Sequence, residues 1–262
     1  MCRLAAWVGA PIALEEVIIA PEHSLLAQSQ DATEAKLAVN GDGFGITWYH
    51  DESGTRAGPG QYRDVLPAWS DGNLTSLCQM IVSPLFLAHV RASTVGETAR
   101  VNCHPFRHGC WSFMHNGQLG GFTRIKRHLE NLLPDELYHL RAGTTDSEML
   151  FLLLLAHGLK QDPANAISEV LELLANLRQP EDPPHRITCV LSDGDGLYAF
   201  RHASDKKCPT LYQRRAETGV IVASEPLDGQ AAGWTAVAPD TLLCIRDGSI
   251  RLMPFNAQRA AA

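Results

Sequence analysis

A cysteine at position 2 brings two reactive groups close together. Removal of Met1 would leave a thiol and a free α-amine on one residue, with reference pKa values of about 8.5 and about 7.7 to 8.0. Such a pair has the ingredients of a nucleophile and its base. Taken alone, however, "MCRLAAWVGA" reads first as the start of a buried strand. "RLAAWVG" is apolar, and cysteine is among the most buried residue types.

Four further stretches set polar groups beside strand-like runs. "NGDGFG" (40–45) surrounds one Asp with glycines and reads as a tight turn needing positive φ. It lacks the Lys of a phosphate-binding loop. In "LAHVRAST" (87–94) alternation puts His89 and Arg91 on one strand face. The planar fork of Arg91 suits either a structural ion pair or a bound carboxylate.

"HNG" (115–117) reads locally as an Asn-Gly turn. It could equally supply an oxyanion hole, with the Asn116 amide and the Gly117 N–H as donors. In "AGTTDSEM" (142–149), Thr145 and Glu148 fit a capping box at a helix start. That leaves Asp146 to favour the helix dipole or to bind an amine. Cys103, His104, His108, Cys110 and His115 crowd one segment, so a zinc-binding module is a weaker alternative. Their spacing matches no zinc pattern, and neither a metal nor a cofactor is expected.

These residues need a scaffold, and the composition supplies one. The 262 residues are 45% hydrophobic and 19% charged, ample for a buried core. A net charge of -7 argues against a nucleic-acid binder, and the short "TRIKRH" cluster reads as a surface helix face. Seven irregularly spaced cysteines, no signal peptide and a longest apolar run of "MLFLLLLA" predict a reduced, cytoplasmic protein that does not enter membranes.

Strand-like runs dominate the first 120 residues: "CRLAAWVG", "GFGITWYH", "PLFLAHVRA" and "CWSFMHNGQL". "SEMLFLLLLAHGLKQ" and "PANAISEVLELLANLRQ" are helical, and "PEDPPH" ends the helical stretch. Strands return in "RITCVLSD", "GLYAFRH", "GVIVASEPL", "TLLCIRDG" and "SIRLMP", with hairpin turns at "DGDG" and "RDGSI". Strands, helices, then strands predict an α+β protein with mainly antiparallel sheets, one domain over residues 1–262.

In order and spacing, "MC", "NGDGFGI", "AHVRAST-G", "VNCHPF", "HNG" and "TDSE" together resemble the glutaminase domain of class II glutamine amidotransferases. These belong to the N-terminal nucleophile hydrolases. The motifs lie within residues 2–150, and "LSDG…LYAF" and "VIVASEPL" extend the likeness. Val95 stands where synthetase-linked members carry a pocket histidine, and no large acceptor domain follows, so the chain is more similar to the stand-alone branch.

The resemblance implies a four-layer αββα sandwich. It implies Cys2 as nucleophile, with its own α-amine as base, and Asn116 and Gly117 as the oxyanion hole. Arg91 would clamp the substrate α-carboxylate, Thr94 would add a hydrogen bond there, and Asp146 would take the ammonium. His104 and His115 are then framework. The substrate is glutamine or another γ-glutamyl amide, cleaved through a γ-glutamyl thioester. The motifs specify its γ-glutamyl half and carry nothing for the leaving group. Some members of the branch cleave γ-glutamyl bonds in ergothioneine biosynthesis or glutathione breakdown, whereas an ammonia-supplying member would need a separate acceptor or synthetase protein. A silent γ-glutamyl-binding regulatory protein, retaining Met1, is the alternative.

Overall fold

The computed structural model describes residues 2–34, 38–50, 58–92 and 97–255. Among these residues the strands are β1 (Arg3–Ala13), β2 (Phe44–Trp48), β3 (Gly60–Asp64), β4 (Val82–Val90), β5 (Phe106–His108), β6 (Trp111–Gln118) and β7 (Arg186–Ser192). The set continues with β8 (Gly196–Ala203), β9 (Tyr212–Arg215), β10 (Gly219–Ala223), β11 (Thr235–Ala236), β12 (Thr241–Arg246) and β13 (Ser249–Pro254). The helices are α1 (Glu15–Ile18), α2 (Leu25–Gln30), α3 (Gly72–Met80), α4 (Phe122–Asn131), α5 (Asp135–Tyr138), α6 (Asp146–Ala156) and α7 (Pro163–Leu177).

Two antiparallel sheets form. One has the order β11-β9-β10-β1-β4-β2-β3, the other β13-β12-β8-β7-β6-β5. Strand alternation sorts their side chains into three apolar layers. Leu4, Ala6, Leu85, Leu87, Met114, Val190 and Val222 pack between the sheets. Ala5, Trp7, Phe86 and Ala88 face outward onto Leu14, Val17 and Leu25 around α1 and α2, and Leu74 and Cys78 of α3. Phe113, Ile187, Cys189 and Phe200 face outward from the second sheet onto α4, α6 and α7. The result is the αββα sandwich.

Local chemistry explains the principal elements. Helix α6 is buried on every side from Met149 to Leu155, as its unbroken apolar run requires. Asp162 caps α7 by accepting the Asn165 N–H at 3.0 Å, with Pro163 in the first turn. Asp247 and Gly248 both have positive φ, joining β12 to β13 as a two-residue hairpin requires. The basic cluster lies on α4, whose Phe122, Ile125 and Leu129 are buried while Arg124 and Arg127 are exposed.

Helices α1 to α3 lie among the strand-like runs that dominate the first 120 residues, and the sequence pattern does not reveal them. They have 4, 6 and 9 residues, too short for their periodicity to stand out. Their formation rests on packing against Trp7 and Phe86. None of the seven cysteines is paired. Among the described residues no helix is long and apolar enough to cross a membrane.

Candidate active site

Three strands and one helix start bring the sequence candidates together. On β1, Leu4 and Ala6 point between the sheets, so the two-residue period turns Cys2 the same way. Arg3 pairs with Val90 and Leu4 with His89, which sets Cys2 opposite Arg91. The Cys2 Sγ lies 3.4 Å from the Ala92 N–H donor and 3.6 Å from the Ala92 carbonyl. Burial pushes the thiol pKa up; the Ala92 hydrogen bond and the charges of Arg91 and Arg3 oppose that rise.

Arg91 is buried and clasped by the glycine-rich turn. Its N–H donates to the Gly43 carbonyl at 2.8 Å and its carbonyl accepts the Asp42 N–H at 3.0 Å. Its Nη1 reaches the Asp42 carbonyl at 3.4 Å. Gly43 has φ of 112°, and a Cβ there would lie 2.6 Å from Cys103 Sγ. Thus "NGDGFG" is the expected turn, and it also fixes the arginine.

The His-Asn-Gly segment is not a turn. It lies within β6, where Asn116 pairs with Thr188 and Gly117 with Ile187. Met114 points between the sheets, so Asn116 follows it toward β1 and β4. Its amide is fully buried, and neither Nδ2 nor Oδ1 has a partner among the described residues. An unpaired buried amide of this kind costs about 1–3 kcal/mol, which a ligand oxygen could offset. Gly117 has φ of 148°, and a Cβ would sit 1.7 Å from the Arg186 carbonyl oxygen. Only glycine fits.

Asp146 opens α6. Thr145 is the cap, its Oγ1 accepting the Glu148 N–H at 3.1 Å. The capping box is only half formed. The Glu148 carboxylate instead accepts the Ala142 and Gly143 N–H groups at 2.9 and 2.8 Å. Asp146, relieved of capping, accepts the Leu119 N–H at 2.8 Å, just beyond β6. Its carboxylate is thereby tied to the strand that carries Asn116.

The histidines line the same region without forming a metal site. Gly45 leaves room for the His104 backbone, whose oxygen would be 2.2 Å from a Cβ there. The His104 ring packs against His89 at a tilt, with centroids 4.2 Å apart. Burial, with the Arg91 charge, pushes His89 down to about 3, against the pull of the His115 carbonyl. Burial likewise holds His104 well below the usual imidazole range, and His115 below it. His115 points outward, its Nδ1 2.8 Å from Ser147 Oγ on α6.

Cys103 Sγ instead faces the Asp64 carbonyl at 3.3 Å, Cys110 is exposed and His108 lies by Lys160. Among the described residues no three His, Cys, Asp or Glu side chains converge to hold a metal. The zinc reading is therefore corrected. Thr94 and Met1 lie outside the described residues.

Sequence reasoning missed the Ala92 backbone groups beside Cys2 and the support behind them. Arg3 is fully buried and bonds both the Cys2 carbonyl and Glu225. "VIVASEPL" was the only hint, and it read as a strand.

The profile of the class-II glutamine amidotransferases matches residues 16–214. The chain belongs to that family. It is 31% identical to a probable glutamine amidotransferase, DUG3, of Saccharomyces cerevisiae, over 97% of this chain and 84% of the yeast protein. It is 30% identical to a gamma-glutamyl-hercynylcysteine sulfoxide hydrolase of Mycolicibacterium smegmatis, over 97% of this chain and 100% of the other. A glutamine aminotransferase class-II domain protein from Silicibacter pomeroyi superposes with a TM-score of 0.74 at 36% identity, covering 97% of this chain and 100% of that one. The phosphoribosylpyrophosphate amidotransferase of B. subtilis shares the fold, with a TM-score of 0.64 at 16% identity, and this chain covers 49% of it.

Proposed function

We propose that the protein hydrolyses glutamine or another γ-glutamyl amide, with Cys2 as nucleophile after removal of Met1. One observation carries the reading. Cys2, Arg91 and Asn116 come from three strands onto the space between the sheets, and Asp146 is bonded to the end of the Asn116 strand. Arg91 is the group for the α-carboxylate, aided by Thr94, and Asp146 is the group for the ammonium. The Asn116 Nδ2 and the Gly117 N–H are the donors for the oxyanion.

In this account the α-amine takes the thiol proton as sulfur bonds to the amide carbon. The oxyanion collapses, the amine protonates the leaving nitrogen and the C–N bond breaks. Water then cleaves the γ-glutamyl thioester, releasing glutamate and restoring the thiol. The names of the yeast and mycobacterial relatives support γ-glutamyl chemistry. Both sheets draw strands from both halves of the sequence, which supports one domain over residues 1–262. Seven unpaired cysteines suit a reducing, cytoplasmic setting.

A panel of glutamine, γ-glutamyl peptides and γ-glutamyl thiols tests the reading directly. Processed protein should release glutamate from γ-linked compounds and not from their α-linked isomers. Failure with every γ-linked compound would contradict it. If glutamine is the best substrate, the released ammonia points to a separate acceptor or synthetase protein. If a γ-glutamyl conjugate is best, hydrolysis is the whole reaction.

A further inference from the structure

We infer that Arg3, held by Glu225, is a positioning residue that fixes the Cys2 backbone and so aims its thiol and α-amine together. The inference deepens the reading of Cys2 as nucleophile and rests on it. Arg3 faces away from the space between the sheets, since Ala5 and Trp7 on its side of β1 pack toward α1 and α2. It approaches Cys2 from behind. Its Nε donates to the Cys2 carbonyl at 2.7 Å and its Nη1 to Glu225 Oε1 at 2.8 Å.

Glu225 lies just past β10 and is fully buried. Oε1 also accepts the Glu34 N–H at 2.9 Å. Oε2 accepts the Thr33 N–H at 3.0 Å and the Thr33 hydroxyl at 2.7 Å, and lies 2.8 Å from His23 Nε2. Burial alone would raise the carboxyl pKa, but bonds from Thr33, His23 and the Glu34 backbone bring it to about 2. The carboxylate is therefore a charged, rigid anchor.

A buried ion pair adds little stability over apolar side chains of the same shape, so its presence asks for another reason. The reason lies at the chain start. Once Met1 is gone, a single peptide bond holds Cys2, and the β1–β4 ladder begins only at Arg3. Tilting of the peptide plane between Cys2 and Arg3 would displace the Cys2 Cα and carry the amine and the thiol with it. Anchoring the carbonyl holds that plane, and the Ala92 N–H meets the sulfur on the other side. A displacement of about 1 Å at a reacting atom can cost roughly 100-fold in rate.

Arg3→Lys keeps Glu225 paired but loses the planar fork that spans both acceptors. With glutamine, or the best γ-glutamyl substrate, we expect kcat to fall about 10- to 100-fold while KM stays within about twofold. Iodoacetamide needs no alignment, so it should alkylate Cys2 at close to the wild-type rate. A diazoketone analogue of glutamine should label Cys2 more slowly, in step with kcat. The double variant Arg3→Gln/Glu225→Gln removes both charges and should behave alike. Thr33→Val, at the exposed end of the network, should cost about 2- to 5-fold in kcat, as one bond of several is lost.

A folded Arg3→Lys protein with wild-type kcat and labelling overturns the inference. So does an activity loss in all three variants accompanied by iodoacetamide reaction at buried Cys78, Cys103 and Cys189, which marks unfolding. Failure of the underlying reading is distinct: wild-type protein would then escape the diazoketone at Cys2, and Cys2→Ala would keep its turnover.

Discussion

The space between the two sheets has two regions of opposite character. Leu4, Ala6, Leu85, Leu87 and Met114 fill one with hydrocarbon. A step further along the same strands, Cys2, His89, Arg91 and Asn116 fill the other with polar groups that are largely buried. The same strands lead from one to the other, with Cys2 and Arg91 at the ends of β1 and β4. The pleat that turns Leu4 inward turns Cys2 inward, and the pleat of Leu85 and Leu87 delivers His89 and Arg91. The apolar region holds the sheets in register, and that register brings the candidate residues of the polar region together. The polar region costs stability locally, because the Asn116 amide, unpartnered among the described residues, and the tilted imidazole pair replace what could be apolar packing.

That contrast can be broken from either side. The largest effect should come from Cys2→Ala, which removes the proposed nucleophile and should lower kcat by about 10⁴-fold or more while leaving the thermal unfolding midpoint within a few degrees. Glutamate release and a thermal melt on the same sample check both halves. Asn116→Ala should lower kcat by roughly 10²- to 10³-fold, the loss expected for the proposed oxyanion donor, with KM little changed. Removing an unpartnered amide should cost little stability, unlike the truncation of an apolar neighbour.

Leu87→Ala should show the converse. It should destabilise the protein by about 2–5 kcal/mol in denaturant unfolding, with kcat per folded molecule retained. A large kcat loss in that variant would mean that the two regions are not separable.

Acid stability sharpens the comparison by a smaller amount. His89 has a folded pKa pushed down to about 3, below its unfolded value of about 6.5. Between these values the unfolded chain binds the extra proton, so stability falls as pH falls through that window. His89→Gln should flatten the slope there by about one proton, or about 1.4 kcal/mol per pH unit. Glu225, depressed to about 2, adds loss only below about 4.5, its stability being fully present above that pH. Urea unfolding from pH 7 down to about pH 2 measures both slopes. The smallest effect should be Thr145→Ala, about 1 kcal/mol for the lost cap of α6.

The strands were legible because their alternation is local and their turns carry Gly, Asp or Pro at the required places. Cys2, Arg91 and Asp146 stood out as an ordered set of candidate motifs, although each alone admits a plainer reading. His-Asn-Gly misled locally, since its turn signal is overridden by pairing of β6 with β7, about 70 residues away. Gly117 serves a close approach to Arg186 instead. Glu148 matched the capping-box pattern yet spends its carboxylate on Ala142 and Gly143, a choice that depends on the loop path. The Arg3 partner is 222 positions away, beyond any periodic or motif signal. Buried polar groups joined across such distances are what a single sequence conceals best.

The central claim is that one sulfur and the amine on its own residue perform the attack. Peptide mapping by mass spectrometry, after reaction with the diazoketone analogue of glutamine, tests it most directly. The account predicts a single adduct, on an N-terminal peptide that begins at Cys2 and lacks Met1. An adduct on any other cysteine, or active protein that still carries Met1, would contradict it.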